Sequence, residues 1–297
     1  MIYLEKYLAH RLIPVILLTF QNYMLVVSQA TLQGHWTPLG EGLNNVVNDI
    51  YVDGNDVYAV GSFTDAGGNT DADFIARWDG SKWNPVGTRL GNYVRTIVVH
   101  EGDVYIGGSF INAGGNQDAD GIARWDGNAW QAIGSGVNNE VAAIAFHDGE
   151  IYIGGFFTNA GGQPNADYLA RFDGNQWQAV GSGIDSSVFN YVVTLESHGS
   201  YLYAGGRFSK AGQIPHTNNI ARWDGVDWSP LAQGYAGDMG VTTIASDEDN
   251  IYVGGDGGPF GSFFCGVSRW EGTSWNGLGS GLSECIYGDG AYAIDAY

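Results

Sequence analysis

The chain of 297 residues is poor in basic side chains, with 12 Lys and Arg against 32 Asp and Glu. Its formal net charge of −20 excludes the electrostatic attraction that draws basic proteins to nucleic acid or to anionic membranes. Long apolar runs are also scarce, because no segment after the first thirty residues approaches the roughly 20 residues that span a bilayer. We therefore expect no nucleic-acid partner and no membrane insertion of the mature chain.

The first thirty residues have the pattern of a secretory signal peptide. Two basic residues precede an apolar run at 12–27, which a polar pair at 21–22 interrupts. The small residues at 28 and 30 predict cleavage after Ala30, which leaves 31–297 as the mature domain. The alternative is an N-terminal membrane anchor, for which the interrupted run is short. The sequence thus predicts a protein that is secreted or held at the cell surface.

Cysteine is nearly absent, and the two that occur, Cys265 and Cys285, both lie close to the C-terminal end of the sequence. In the oxidising compartment that a signal peptide implies, we expect a local disulfide between them rather than two free thiols. A metal site on this pair is not expected, because no further Cys or His ligands lie nearby.

A recurring segment, Ile-Ala-Arg-Trp-Asp-Gly-Asn-Ala-Trp at residues 122–130, dominates what is present. It occurs five times in related form, at intervals of 47, 47, 51 and 47 residues. Trp36 lies 47 residues before Trp83, the last tryptophan of the first copy. A fixed period of this length indicates a repeat architecture. Its arginines and following tryptophans are Arg77, Arg124, Arg171, Arg222 and Arg269, and Trp83, Trp130, Trp177, Trp228 and Trp275.

Each repeat is predicted to form four short antiparallel strands, which is one blade of an all-β propeller. In the second repeat these strands are expected at residues 93–99, 104–108, 122–125 and 130–134. The dipeptide Asp126-Gly127 between the last two is a strong signal for a hairpin turn. Complete blades are expected at 46–87, 93–134, 141–181, 191–232 and 241–279.

The two ends of the chain predict parts of a sixth blade. Residues 36–40 align with a fourth strand and residues 291–297 with a first strand. The predicted fold is therefore a single β-propeller of five complete blades plus the first and fourth strands of a sixth. Because those two strands do not touch within a blade, we favour a chain truncated at its C-terminus over a ring that closes imperfectly.

The order of Tyr105-Ile106-Gly107-Gly108, Trp125 and Trp130 resembles the kelch-type repeat. It is more similar still to a secreted repeat that reads Ile-Ala-Arg-Trp-Asp-Gly-x-x-Trp-x-x-Leu-Gly. Fungal cell-surface polarity proteins and many secreted bacterial proteins carry that repeat in tandem. The resemblance covers about residues 36–297 and implies a propeller fold outside the cell, but almost nothing about activity.

Residues that recur in every repeat are interpreted as scaffold, because ligand sites on such a ring normally differ between blades. One arginine per blade is expected to pair with an acid or a carbonyl. The alternative is a ring of guanidinium groups that binds an anionic ligand. The tryptophans are expected to pack between blades, with aromatic platforms for sugars as the alternative.

The loops between second and third strands are candidate Ca²⁺ sites, so calcium is the one cofactor considered. Carboxylates spaced by glycine provide the several oxygen ligands and the sharply bent backbone that a hard cation needs. The spacing matches no EF-hand or nonapeptide calcium motif. The candidate ligands are Asp65, Asp71, Asp73, Asp118 and Asp120.

His100, His147 and His198 occupy the turn between the first and second strands of three successive repeats. Equivalent turns on neighbouring blades lie too far apart to share one metal ion. We therefore expect solvated turn residues.

No nucleophile elbow, zinc-protease signature or phosphate-binding glycine loop is present, so no catalytic residue is assigned. We expect a non-catalytic binding module that presents the loops of one propeller face to a glycan or protein partner, with no indication of its oligomeric state. The alternatives are a secreted enzyme acting on polysaccharide, which a close carboxylate pair would favour, and a purely structural fragment of a larger surface protein. Candidate ligand contacts are loop residues that break the repeat: Asn44, Asn45, Glu140, Asp185 and Phe189.

Overall fold

The computed structural model describes residues 3–4, 37–87, 90–185, 190–237, 240–255, 258–259 and 266–278, and these are almost entirely strands and turns. The only helical elements among them are three short 3₁₀ turns, Ala66–Gly68, Ala113–Gly115 and Ala160–Gly162. No helix in these ranges is both long and apolar enough to cross a membrane. The strands are β1 Tyr3–Leu4, β2 Thr37–Pro38, β3 Val47–Asp53, β4 Asp56–Gly61, β5 Ile75–Trp78, β6 Trp83–Pro85, β7 Val94–His100, β8 Asp103–Gly108, β9 Ile122–Trp125, β10 Trp130–Ala132, β11 Val141–His147, β12 Glu150–Gly155, β13 Leu169–Phe172, β14 Trp177–Ala179, β15 Tyr191–His198, β16 Tyr201–Arg207, β17 Ile220–Trp223, β18 Trp228–Pro230, β19 Tyr235–Ala236, β20 Val241–Ser246, β21 Ile251–Gly255, β22 Gly258–Pro259, β23 Val267–Trp270 and β24 Trp275–Gly277.

Five four-stranded antiparallel sheets, each with its strands in simple up-and-down order, form the main part of the fold, and two short pairs, β1–β2 and β19–β22, accompany them. Sheet I contains β3–β6, sheet II β7–β10, sheet III β11–β14, sheet IV β15–β18, and sheet V β20, β21, β23 and β24. In each sheet the strands are called first to fourth in chain order. The expected all-β architecture of repeated four-stranded sheets is therefore confirmed, whereas a closed ring and the number of blades stay predictions.

The sheets follow one another in space, because each first strand contacts the first strand of the next sheet. Hydrogen bonds join the first two of these strands: Asn48 Nδ2 donates to the carbonyl of Val94 over 2.7 Å, and Tyr51 Oη to that of Val99 over 3.1 Å. The hydrophobic core lies between neighbouring sheets, where clusters of apolar side chains are excluded from water. Full burial of a Leu, Ile or Val side chain contributes about 1.5–3 kcal/mol, so these junctions are the main source of stability.

The two glycines that end the second strand of sheet II are required by close packing. A Cβ atom on Gly107 would lie 2.6 Å from Cγ1 of Val141, which begins the first strand of sheet III. A Cβ atom on Gly108 would lie 2.5 Å from the carbonyl oxygen of Tyr93. Both distances fall below the 3.0 Å that real Cβ atoms respect. The absence of a side chain at Gly107 therefore leaves room for the next sheet. The absence of one at Gly108 leaves room for the backbone of the first strand, just before a bulge.

That bulge is a regular feature of the first strands. In each of the five sheets the pairing register with the second strand shifts near the start of the first strand, from Val94 to Thr96 in sheet II. A β-bulge redirects side chains at the end of a strand and often lies beside a functional site. Arg95 is the bulged residue of sheet II.

The tryptophan that starts each fourth strand fastens its sheet to the preceding one. The indole of Trp228, for example, donates to the carbonyl of Val180 over 3.0 Å. Trp83 makes the corresponding bond to Leu39 over 3.1 Å. Leu39 follows β2, so residues 37–40 occupy the place that the end of a preceding fourth strand takes elsewhere. This placement agrees with the alignment of residues 36–40 as a fourth strand.

The N-terminal strand β1 lies within the predicted signal peptide and pairs with β2. Tyr3 faces Pro38 and Leu4 faces Thr37, which is the register that third and fourth strands adopt in the sheets. Cleavage after Ala30 stays a prediction. The expected first strand at 291–297 and the expected Cys265–Cys285 disulfide lie outside the described residues.

Candidate ligand-binding site

The repeated arginines make their contacts within their own sheets. Arg77, Arg124 and Arg171 each pair with the acid that opens the second strand of the same sheet. In sheet IV a tyrosine replaces that acid, and the Arg222 guanidinium lies 4.5 Å from the centre of the Tyr201 ring. The pairs are Arg77 with Asp56 at 3.1 Å, Arg124 with Asp103 at 3.5 Å, Arg171 with Glu150 at 2.7 Å, and Arg269 with Glu271. These are the contacts of a scaffold arginine.

The aspartates of the recurring motif shape the turn between third and fourth strands. Asp126 Oδ1 accepts hydrogen bonds from the backbone amides of Asn128 and Ala129, at 2.9 and 2.8 Å. These amide donors stabilise the carboxylate and hold the pKa of Asp126 below its usual range. The pKa values of the equivalent turn aspartates in sheets I, III and IV, Asp79, Asp173 and Asp224, are lowered for the same reason, with the Ser81 hydroxyl leading at Asp79.

The candidate calcium ligands have structural partners in their own loops. Asp73 Oδ1 accepts the backbone amide of Asp65 over 3.0 Å, and Asp120 Oδ1 accepts that of Asn112 over 2.7 Å. Gly67, in the Ala-Gly-Gly segment of the first of these loops, has a φ of 58°, in the left-handed region that favours glycine. Among the described residues no three His, Cys, Asp or Glu side chains gather into a metal site. Calcium binding, through Asp71 and Asp118 as well, stays a prediction.

Asn44 and Asn45 have equivalents in another repeat, so they do not depart from the repeat pattern. Asn44 exchanges two hydrogen bonds with Thr64, and Asn45 donates to the carbonyl of Ser62 over 3.1 Å. Asn138 and Asn139 of sheet III make the same bonds to Thr158 and Phe156. These asparagines therefore tie the entry of the first strand to the loop after the second.

Asp185 has a similar tying role in sheet IV. Its Oδ1 accepts the backbone amides of Ser209 and Lys210, each over 3.1 Å, and its own amide donates to the carbonyl of Lys210. Phe189 lies outside the described residues.

The expectation of solvated turn histidines is wrong for His147, which is 3% exposed. The first strand of sheet III runs through His147, so the turn begins one residue later than expected and the side chain faces sheet IV. There His147 Nδ1 lies 2.9 Å from Ser197 Oγ. His100 is half-buried and stacks on Phe146, with ring centres 3.8 Å apart.

Glu140 is the sequence-predicted contact that leads to a candidate site. The residue that precedes the first strand, or begins it in sheet IV, changes from sheet to sheet. The residue that follows the second strand, or ends it, is serine in sheets I and II and differs in sheets III and IV. Backbone hydrogen bonds pair these two positions across the strands; the amide of Phe156, for instance, donates to the carbonyl of Glu140 over 2.9 Å. In sheets I to IV the first position holds Val46, Tyr93, Glu140 and Tyr191, and the second holds Ser62, Ser109, Phe156 and Arg207.

These variable residues, with the bulged Arg95, meet across sheets II, III and IV. Tyr93 Oη donates to Glu140 Oε2 over 2.8 Å, and Ser109 Oγ donates to Tyr93 Oη over 3.0 Å. Arg95 Nε lies 3.9 Å from the other oxygen of Glu140. We name the set the rim strip: Tyr93, Arg95, Ser109, Glu140, Phe156 and Tyr191.

The aromatic half of the rim strip lies beside its charged half. The rings of Phe156 and Tyr191 have centres 5.1 Å apart and planes inclined by 40°. Phe156 is 37% exposed, whereas the side chain of Glu140 is only 17% exposed. The strip therefore combines an accessible apolar surface with a sheltered, oriented carboxylate.

The surroundings of Tyr93 in the rim strip keep its phenol protonated. Partial burial raises the pKa of Tyr93, and the hydrogen bond to Glu140 raises it further, so Tyr93 remains a donor at neutral pH. Beneath the strip, Asp49 of sheet I accepts the backbone amide of Ile97 over 2.9 Å. Withdrawal from water raises the pKa of Asp49, against the opposing effects of its amide donors and of the Arg95 charge. The charge of Arg95 thus acts on two carboxylates, that of Asp49 and that of Glu140, which is 3.9 Å from Arg95 Nε.

Five residues of the rim strip are not predicted from the sequence: Tyr93, Arg95, Ser109, Phe156 and Tyr191. The available signal was a comparison of equivalent positions between repeats, since each of these residues except Ser109 replaces a different side chain in the neighbouring sheets. The contacts between them depend on strand register and on the packing of successive sheets, which periodicity alone does not provide.

No family model matches the chain, and no curated protein matches it significantly. Among solved structures, the one titled "Structure of YjhT" is 15% identical, with 82% of this chain and 87% of that chain covered and a TM-score of 0.46. The computationally designed Ika8 protein is 12% identical, with 78% and 73% covered and a TM-score of 0.41. At these scores neither likeness carries an argument about ligand or mechanism.

Proposed function

We propose that this chain is a secreted or cell-surface binding module, without a catalytic role, that holds a glycan or protein partner on the rim strip. The observation that carries the proposal is the contiguous contact from Ser109 through Tyr93 and Glu140 to Phe156 and Tyr191. Except for Ser109, which matches Ser62 of sheet I, each of these residues differs from its equivalents in the neighbouring sheets, while the scaffold positions around them recur. The ligand-binding positions of a repeat protein are expected to be the ones that differ.

We further propose that the sheets are blades of a kelch-like β-propeller with six positions in its ring. The succession of first strands from sheet I to sheet V supports this arrangement. The bond from Trp83 to Leu39 supports a sixth position, because it reproduces the junction that Trp228 makes with Val180. The rim strip would then lie on the face that carries the loops between second and third strands.

A secreted enzyme acting on polysaccharide is the alternative from a different class. Hydrolysis by two carboxylates would require a second acid roughly 5–9.5 Å from Glu140 across a bound sugar. The acid that shares the neighbourhood of Arg95 is Asp49, whose carboxylate is occupied by the backbone amides of Ile97 and Ile50. A non-catalytic role is therefore the function that the geometry favours.

The test is a binding screen of purified residues 31–297 against a broad glycan array and against intact cell surfaces, with hydrolysis products measured in parallel. The variant Phe156→Ala removes the exposed ring of the strip. The matched control Val226→Ala removes another exposed apolar side chain, 74% accessible, from the turn between third and fourth strands of sheet IV. We expect Phe156→Ala to lose capture and Val226→Ala to retain it. Equal capture by both variants, or turnover of a bound polysaccharide, would overturn the proposal.

A further inference from the structure

We infer that the ligand of the rim strip is a neutral oligosaccharide, with one pyranose ring against Phe156 and Tyr191 and a hydroxyl of the chain donating to Glu140. This inference rests on the proposed function and specifies its ligand class. It is carried by four properties of the strip: the shape of its aromatic surface, the state of its carboxylate, the spacing between the two, and the surrounding charge.

The aromatic surface suits the apolar face of a sugar ring. Phe156 stands where sheets I and II have serine and sheet IV has arginine, so no requirement of the scaffold explains an exposed phenyl ring there. Its backbone is fixed by the hydrogen bond to Glu140, and its ring is supported by Tyr191. Rigid aromatic side chains provide contact area at a low cost in conformational entropy. The two rings are in contact, so a sugar ring would stack on the exposed side of Phe156, beside Tyr191.

The carboxylate of Glu140 is oriented but retains one acceptor. Its Oε2 is occupied by Tyr93, which Ser109 holds in turn. Its Oε1 lies 3.9 Å from Arg95 Nε, beyond hydrogen-bond distance, and has no hydrogen-bonding partner among the described residues. A hydroxyl that donates to a charged oxygen forms a strong hydrogen bond, and a fixed carboxylate loses little entropy in making it.

The spacing between the two features matches one sugar ring. Glu140 and Phe156 face each other across the first two strands of sheet III, because the pairing of Val141 with Gly155 continues through their backbone hydrogen bond. Side chains opposed in this way have Cβ atoms roughly 5 Å apart. A ring stacked on Phe156 can therefore present its own hydroxyl, or that of the adjoining residue, to Oε1.

The surrounding charge disfavours an anionic ligand. The whole chain carries a formal charge of −20, which repels anionic polysaccharides. Within the strip, Arg95 lies 3.9 Å from the Glu140 carboxylate, so it is not a free site for an anion. A basic peptide is attracted by the overall charge but would use only Glu140, whereas a neutral saccharide uses both the carboxylate and the aromatic surface.

The experiment is titration calorimetry of residues 31–297 with three probes: neutral hexose and N-acetylhexosamine oligosaccharides, sulfated or uronic-acid oligosaccharides, and a lysine-rich peptide. We expect binding of a neutral oligosaccharide whose dissociation constant changes less than about twofold between low and high salt, because no ion pair forms. Phe156→Ala and Glu140→Gln should each weaken it about tenfold or more, Phe156→Tyr should retain it, and Val226→Ala should leave it unchanged. Circular dichroism confirms that each variant is folded.

Two outcomes would overturn the inference. Binding of only the sulfated oligosaccharides or the peptide, lost in Phe156→Ala, would replace the ligand class and leave the proposed binding function intact. Binding of no probe, or of neutral oligosaccharides equally in wild type and Phe156→Ala, would contradict the neutral-glycan site. In that case, capture on cell surfaces by wild type but not by Phe156→Ala would still support the proposed function. Equal capture by the two proteins would contradict both the neutral-glycan inference and the proposed function.

Discussion

The indole nitrogen of Trp177 donates a hydrogen bond to the carbonyl oxygen of Ile133, 3.2 Å away at the end of the preceding sheet. The same relationship joins Trp228 to Val180. Because the tryptophan and its acceptor belong to successive repeats, the bond works only when two sheets lie side by side. This pairing explains why tryptophan recurs at this position without any need for a ligand.

Replacing Trp177 by phenylalanine should lower the free energy of unfolding by about 1–3 kcal/mol, because the buried carbonyl of Ile133 loses its donor and a cavity opens. Trp177 is 1% exposed, whereas Trp275, which bonds to Leu231, is half-buried. Trp275→Phe should therefore cost less. Urea denaturation followed by far-UV circular dichroism measures both, and an equal cost at the two sites would contradict the role of burial.

Gly107→Ala should destabilise the junction of sheets II and III, since its new methyl group would lie 2.6 Å from Val141 and 2.9 Å from Thr96. Overpacking of this kind costs about 1–3 kcal/mol. The matched control is Gly91→Ala, where the nearest atom is the carbonyl of Ile111 at 3.7 Å. Thermal unfolding should show a lower midpoint for Gly107→Ala only; a normal midpoint for it would mean that the sheets pack less closely.

Asp49→Asn tests the buried carboxylate beneath the rim strip. Burial raises the folded-state pKa of Asp49 above its unfolded value, so its contribution to stability is fully present below about pH 4 and is lost as pH rises through the folded pKa. The Asp49→Asn variant does not lose stability in this way, because an amide does not titrate. The stability of the variant relative to wild type should therefore increase from pH 4 towards neutral pH. Urea midpoints across this range would contradict the account if the difference fell with pH.

Asp126→Asn should show the opposite pH dependence. The amides of Asn128 and Ala129 depress the folded-state pKa of Asp126, so its stabilising effect is present above about pH 4 and is lost as pH falls through the folded pKa. Asparagine preserves the turn but does not titrate. In acid unfolding between about pH 4 and 2, wild type should lose more stability than the variant. Parallel curves for the two proteins would show that the turn carboxylate does not contribute.

The four-stranded repeats could be predicted because the residues that build them recur. Gly108, Arg124 and Trp130 each have an equivalent in every sheet, so their spacing of about 47 residues indicates the repeated sheet directly. The end of the first strand was harder, since nothing in the sequence at His147 distinguishes the last strand residue from the first turn residue. His100 ends its strand in the same way and is only half-buried, so the full burial of His147 comes from its packing against Ser197 of sheet IV.

The candidate site could be predicted only in part, because its members are distant in sequence. Glu140 was found as a loop residue that departs from the repeat. Its hydrogen-bond donor Tyr93 lies 47 residues earlier on another sheet, and Phe156 reaches it only through antiparallel pairing. Asn44 and Asn45 were expected at the site for the same reason as Glu140, but their partners Thr64 and Ser62 show that they repeat a structural bond.

The most direct test of ligand binding by the rim strip compares two tyrosines that each donate a hydrogen bond to the next sheet. Tyr51 joins sheet I to sheet II, and Tyr93 joins sheet II to sheet III. Tyr93 Oη donates to Glu140 within the strip, and Tyr51 Oη donates to the carbonyl of Val99 near the other end of the first strands. The measurement is the ligand dissociation constant of Tyr93→Phe and Tyr51→Phe beside wild type. The account predicts that Tyr93→Phe weakens binding about 3–10-fold, as the loss of one hydrogen bond requires, while Tyr51→Phe binds as wild type. Unchanged binding by Tyr93→Phe, or an equal loss in both variants, would contradict it.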